Sequence, residues 1–224
     1  MSRLIDLTLP LAPGMRGVHV TQKFIRADDG WNATTLHLYS HAGTHMDAQV
    51  HFEAGPETID QIPLARCMGM AWVIDLTDIG PKALIDVASL GEVEGKCRSG
   101  ESLLIRTGWS RHANNPALYR DSLPRISEEL ARWCVARQVK LLGVEPPSVA
   151  DVNNLAEVTC IHELLLSGGV IIVEGLCNLE ELSDPRVFFA ALPLRIIGGD
   201  GSPCRAFAVE GDEAVEHMAR LLLT

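Results

Sequence analysis

The chain has no run of lysine and arginine long enough to make a basic patch, and its 19 basic residues are outnumbered by 29 acidic ones, for a formal net charge of −10. That balance argues against nucleic acid and anionic membranes as partners. Long apolar stretches are missing too: Gly168 to Val173 falls far short of the roughly 20 residues needed to span a bilayer. The start, Met1-Ser-Arg-Leu-Ile-Asp-Leu, carries no signal-peptide core, so a cytoplasmic location is expected. The cysteines (Cys67, Cys97, Cys134, Cys160, Cys177 and Cys204) form no C-x-x-C pair and read as reduced thiols. No internal repeat, low-complexity segment or linker interrupts the chain. There is no G-x-S-x-G elbow, and Ser202 in Gly-Ser-Pro does not make one, so a serine nucleophile is not expected.

What is present suffices for a single domain over residues 1–224. At 47% hydrophobic residues, the core needs neither a metal nor disulfides to fold. Short runs rich in Val, Ile, Leu and Thr predict strands at Arg3 to Leu9, Val18 to Ile25, Thr34 to Ser40, Met70 to Leu76, Ser102 to Thr107, Val139 to Val144, Val170 to Val173, Leu194 to Ile197 and Cys204 to Val209. Helices are predicted from a Ser127 cap through Gln138, over Val158 to Leu166, and from an Asp212 cap through Leu222, with short helical turns near Ile85 to Leu90. Strands outnumber helices and interleave with them unevenly, which predicts a mixed, β-rich α/β fold rather than a regular β-α repeat.

The densest chemistry lies in His41-Ala-Gly-Thr-His45-Met-Asp47-Ala-Gln-Val-His51-Phe52, three of the eight histidines and an aspartate in one window. Imidazole and carboxylate together suit zinc, manganese or iron. The His41–His45 spacing matches a helical zinc site, but Gly43 and Thr44 disfavour helix, and no Glu stands beside either histidine to serve as the base of that motif. A strand running into a loop is expected, with Gly43 allowing a bend that lets His41 and His45 converge. His45 and Asp47, two apart on extended chain, share a face. Three protein ligands and an open position is the pattern of a catalytic metal rather than a structural one. His51 is then either a fourth ligand or a free base beside the metal-activated water. His37, between Leu36 and Leu38, fits a structural role or one orienting a ligand.

A second cluster lies far along the chain. Gly143-Val-Glu-Pro-Pro-Ser-Val is a turn-rich loop, and the helix after it carries His162. Gly168-Gly169 ends that helix, and the strand Val170 to Val173 delivers Glu174 at its carboxyl end. His162 and Glu174 would complete a second metal, with Asp47 and Glu174 bridging. Asp200 and Ser202 read as turn residues or as groups behind the ligands.

These segments resemble the cyclase family, which includes bacterial kynurenine formamidases and isatin hydrolases. The window 41–52 is similar to that family's H-x-G-T-H-x-D-x-P-x-H signature. Supporting matches are Arg106-Thr-Gly-Trp109, Gly143-Val-Glu-Pro-Pro-Ser-Val149, His162 with Glu174-Gly-Leu-Cys-Asn-Leu179, and Gly199-Asp-Gly-Ser-Pro-Cys-Arg205. The resemblance implies a swivelling β/β/α domain in a homodimer or tetramer. It implies one or two divalent cations per subunit, zinc first and manganese as the alternative, on His41, His45, Asp47, His162 and Glu174. It also implies His51 as the catalytic acid/base. Two departures stand out: Gln49 replaces the signature proline, and Pro13 to Val18 lacks the substrate-stacking aromatic. Gln49 could reach substrate or metal water, and Arg16 offers a cation for a substrate carboxylate.

The expected activity is hydrolysis of a small amide, N-formyl or cyclic, by a hydroxide generated at the metal while His51 shuttles a proton to the leaving nitrogen. Lactone hydrolysis, a cyclisation or dehydration on the same metal site, and an inactive metal-binding scaffold are the alternatives.

Overall fold

Apolar side chains alternate along the central strands, and the alternation sets the layout. In the computed structural model, which describes residues 2–211 together with Val215 and Met218, the strands are β1 (Arg3–Asp6), β2 (Val18–Phe24), β3 (Ala33–Leu38), β4 (His45–Asp47), β5 (Met68–Asp75), β6 (Leu84–Ile85), β7 (Ser102–Arg106), β8 (Arg125–Ile126), β9 (Leu141–Val144), β10 (Ile171–Glu174), β11 (Arg186–Pro193) and β12 (Gly201–Glu210). The helices are α1 (Arg26–Asp29), α2 (Val93–Lys96), α3 (Pro116–Asp121), α4 (Glu128–Ala136) and α5 (Leu155–Ser167). The main sheet runs β1-β12-β11-β5-β7-β9-β10-β4, and β4 pairs again with β12. Seven strands therefore close into a barrel, with β1 attached along β12.

The strands β5, β7, β9 and β10 are parallel, and the remaining pairings of the main sheet are antiparallel. Both faces of the parallel strands are covered, so they read as unbroken apolar runs. Leu104, Leu141, Ile171 and Val173 point into the barrel with Met46 and Phe189. Their neighbours Leu103, Ile105, Leu142 and Ile172 point outward, under Leu130 and Cys134 of α4 and Ile161 and Leu165 of α5. Gly143 interrupts β9 because a side chain there would meet Leu104 and Leu176 at 2.7 Å.

The mixed, β-rich α/β architecture matches the expectation. Ser127 caps α4 by accepting from the Leu130 N–H at 3.0 Å, and Asn154 caps α5 in the same way, so that α5 begins three residues ahead of the predicted start. The segment Leu194 to Ile197 is not a strand. The strand lies just before it, at Arg186–Pro193, where Phe188 and Phe189 are buried, while Ile197 is 91% exposed in the loop to β12. The predicted helix from Asp212 to Leu222 lies outside the described residues. Strands β2 and β3 form a separate two-stranded ribbon, solvent-exposed over most of its length. Among the described residues no helix is long and apolar enough to cross a membrane.

Candidate metal centre

Strand β4 is only three residues long, yet it is paired on both edges. His45 lies opposite Glu174 of β10 and Asp47 lies opposite Gly201 of β12, while Met46 points into the core. Alternation thus sends His45 and Asp47 to the same side. Just before β4, Gly43 takes φ +62° and Gly175 takes φ +68°, and the two backbones touch. Thr44 fastens this crossing: its hydroxyl donates to Gly175 O at 2.6 Å and accepts from the Leu9 N–H at 2.8 Å. His162 arrives from α5, and His51 from the short 3-10 turn Gln49–Phe52.

The histidine nitrogens divide into an outer set and an inner set. Outward, His45 Nδ1 bonds Gly43 O at 2.9 Å, His162 Nδ1 bonds Val158 O at 2.7 Å, and His41 Nε2 meets Asp200 Oδ2 at 3.0 Å. Inward, His41 Nδ1 lies 2.9 Å from Asp47 Oδ1. His45 Nε2 lies 3.8 Å from that oxygen and 3.1 Å from Glu174 Oε2. His162 Nε2 lies 3.7 Å from Asp47 Oδ2 and 3.4 Å from Glu174 Oε1. Metal-binding imidazoles characteristically donate the far N–H to an acceptor and leave the near nitrogen free. Two donors about 2.0–2.1 Å from a tetrahedral zinc stand about 3.3 Å apart, in the middle of the inner separations.

The donor set fits a divalent cation on a second count. Asp47 Oδ2 is buried and has no hydrogen-bond partner, which a carboxylate oxygen rarely tolerates. His41, His45 and Asp47 form one group with ligand-atom spacing suited to a cation, Asp47, His162 and Glu174 form a second, and the less buried His41, His51 and Asp200 form a third. Asp47 belongs to the first two.

Charge follows the same geometry. Burial and the repulsion of Asp47 raise the Glu174 carboxyl, but hydrogen bonds from His162 and His45 outweigh them and hold it below its ordinary range. Burial likewise opposes ionisation of Asp47, and His41, with the neighbouring His45 and His162, wins and lowers it. His41 resists burial through Asp47 and Asp200 and is pushed up to about 9. His162 is raised against its burial by Glu174. His51 goes the other way: burial lowers it, and it stays neutral more readily than a free imidazole.

His51 stands beside the cluster rather than in it. Its ring stacks on His41 with centroids 3.8 Å apart, and its Nδ1 lies 3.6 Å from Asp200 Oδ2. All five predicted ligands and His51 therefore converge. Two other expectations are corrected. The Gln49 amide donates to Leu166 O at 3.1 Å and accepts from the Glu57 N–H at 3.3 Å, so it ties the turn to the end of α5 instead of facing the histidines. His37 is exposed on the β2–β3 ribbon, 6.0 Å from the His19 ring, and among the described residues it hydrogen-bonds none of the candidate ligands. Arg16 lies over the Tyr39 ring at 5.8 Å, and Tyr39 is itself 5.3 Å from the His41 ring.

Three participants escaped the sequence reading. Phe52 stacks on His162 at 4.3 Å, and its position directly after His51 was the available signal. Tyr39 supplies an aromatic at the rim that the segment Pro13 to Val18 lacks. Glu145, fully buried, accepts from Thr107 N–H and Oγ1, Trp109 N–H and Ser110 Oγ, and so anchors the Arg106-Thr-Gly-Trp109 segment. Beyond it in the same loop, the Val149 N–H donates to Glu174 Oε1 at 2.7 Å.

Comparison with known proteins points to one family. The Cyclase family model matches residues 5–151. A kynurenine formamidase of Geobacillus thermodenitrificans is 32% identical over 209 residues, covering 92% of this chain and 94% of that protein. One of Salinibacter ruber is 29% identical over 208 residues, with the same coverage. Isatin hydrolase A from Ralstonia solanacearum superposes with a TM-score of 0.84 at 25% identity, covering 94% of this chain and 92% of its own.

Proposed function

This chain belongs to the cyclase family, and on that premise we propose that it is a metal-dependent hydrolase of small amides, N-formyl or cyclic. One observation carries the reading: the inward nitrogens of three histidines converge on the carboxylates of Asp47 and Glu174, and one buried oxygen of Asp47 has no hydrogen-bond partner. His41, His45 and Asp47 would hold one divalent cation, and His162 and Glu174 a second that shares Asp47. Zinc fits this donor set first and manganese second. Such a cation, when bound, lowers the pKa of water towards ~7 and polarises a carbonyl.

The chain's own residues supply the rest. His51 is partly buried and favoured in its neutral form, so its imidazole can take a proton from the attacking water. Delivering that proton to the leaving nitrogen removes the main obstacle to amide cleavage, since an unprotonated amide nitrogen leaves poorly. Phe52, packed on both His51 and His162, keeps one wall of the site apolar. Tyr39 with Arg16 offers an aromatic face and a cation at the opening, suited to an aryl amide that carries a carboxylate.

Homo-oligomer formation belongs to the same proposal. A two-stranded ribbon is marginal alone, and the β2–β3 ribbon and its connection leave Leu36, Trp31 and Ile25 at least half exposed. All six cysteines are free, which suits a reducing compartment.

The test is a panel of N-formyl aryl amines, cyclic amides and lactones, assayed with metal-loaded protein and after chelation. Amide turnover lost with chelator and restored by Zn²⁺ or Mn²⁺ is expected. Protein that retains no metal, or that turns over only lactones, would overturn the reading.

A further inference from the structure

Asp200 has no task in the mechanism above, yet its carboxylate is the meeting point of the two histidines that differ most in role. It lies just before β12, and its backbone is fixed, with Asp200 O accepting from the Ala48 N–H at 2.9 Å. Its Oδ2 lies 3.0 Å from His41 Nε2 and 3.6 Å from His51 Nδ1, with Ser40 Oγ donating to it at 3.4 Å. The neighbouring Gly201 lets this happen: a side chain there would lie 2.7 Å from His41 Cε1.

An imidazole can bind a cation only through an unprotonated nitrogen, so something must hold its proton on the other one. For His45 and His162 that acceptor is a backbone carbonyl, Gly43 O and Val158 O, which the fold supplies whatever the side chains are. For His41 it is a side chain. Among the three inner histidines, His41 alone has its proton placement entrusted to a replaceable group. That group is 47% exposed, so little packing depends on it.

Resting on the hydrolase reading, we propose that Asp200 is a positioning residue for two histidines at once, keeping the His41 proton on Nε2 so that Nδ1 faces the cation, and holding His51 against the same ligand. The stacked rings and the shared carboxylate link the two: His51 packs on the ring that Asp200 orients, with its own Nδ1 in ion-pair range of the same oxygen.

The experiment uses metal-free wild type, Asp200→Asn and Asp200→Ala, titrated with Zn²⁺ against a chromogenic chelator. Asp200→Ala is expected to bind zinc about 10- to 100-fold more weakly at unchanged stoichiometry. Asp200→Asn, which keeps an acceptor oxygen, is expected to recover most of that loss. Long-range proton–nitrogen spectra of the zinc-loaded proteins should show the His41 proton on Nε2 in wild type and divided between nitrogens in Asp200→Ala. Metal-free melting temperatures of Asp200→Asn and Asp200→Ala, which both lose the charge, should coincide, so a difference in their zinc affinity reads positioning rather than folding. Unchanged affinity in Asp200→Ala overturns the proposal, and so does the loss of one cation per chain, which would make Asp200 a ligand. A wild type that binds no zinc would instead overturn the hydrolase reading.

Discussion

Replacing Gly175 by alanine tests whether the site depends on the crossing of two backbones. Gly175 sits at φ +68°, where an L-residue costs about 1–2 kcal/mol. Its new Cβ would also lie 2.4 Å from Gly43 O and 3.1 Å from Gly43 C, backbone atoms that no rotamer change can move aside. Relief of that overlap costs about 1–3 kcal/mol, so the total loss is about 2–5 kcal/mol. For a chain of this size, melting should fall by about 4–20 °C. Gly43 O is also the acceptor that fixes the His45 ring at 2.9 Å, so metal affinity should fall about 10- to 100-fold. Gly169→Ala is the control: φ is +79° there, but nothing lies within 4 Å of the added carbon. It should show the conformational cost alone, with metal affinity unchanged. Calorimetry of the metal-free proteins, followed by zinc titration, reads both effects. Equal losses in the two variants, or full zinc affinity in Gly175→Ala, would refute the reasoning.

Asp47→Asn should abolish stoichiometric metal retention, read by elemental analysis after gel filtration, because Asp47 is shared by the two groups that the proposal loads with metal. Full metal content in that variant would show that the ligands lie elsewhere. Glu101 provides a pH test far from the site. Burial raises its carboxyl, but the Arg98 N–H, Trp72 Nε1 and Arg186 outweigh burial and hold it below its ordinary value. A carboxyl depressed on folding contributes stability that is present above its unfolded pKa and lost as pH falls through the folded one. Glu101→Gln should therefore be less stable by about 1–3 kcal/mol at pH 7, with the gap closing below about pH 4. A gap that stays constant down to pH 3 would exclude the ion pair as its cause.

The candidate ligands were legible because their signal is chemical. His41, His45, Asp47, His162 and Glu174 are residue types that seldom share one buried place without a cation, and two spacing rules and one strand end located them. What escaped depended on partners in three dimensions. The side chain of Gln49 could not be placed from sequence, because its acceptor at Leu166 lies 117 positions away and appears only once α5 packs on the 49–52 turn. His37 looked half-buried by its alternation between Leu36 and Leu38, but among the described residues the ribbon that carries it is left mostly exposed. The strand at Arg186–Pro193 was missed in favour of Leu194 to Ile197 because both are apolar. Only the pairing of β11 with β5 and β12 distinguishes a buried run from an exposed one.

The same logic explains why the ligands sit where the barrel closes. A three-residue strand has too few hydrogen bonds to be stable alone, so β4 exists only because β10 and β12 accept it on either edge. The pair His45–Glu174 spans one of those junctions, and Asp47 faces Gly201 across the other. Ligands on both sides of the closing strand place buried negative charge where the ring of strands would otherwise be weakest. The inward histidine nitrogens offset part of that charge through their contacts with the two carboxylates, and a divalent cation would offset more while tying β10, β4 and α5 together. Loaded with a cation, the centre would serve the fold as well as the proposed chemistry. This accounts for its dependence on strand register and glycine contacts, which fix atoms more tightly than a loop would.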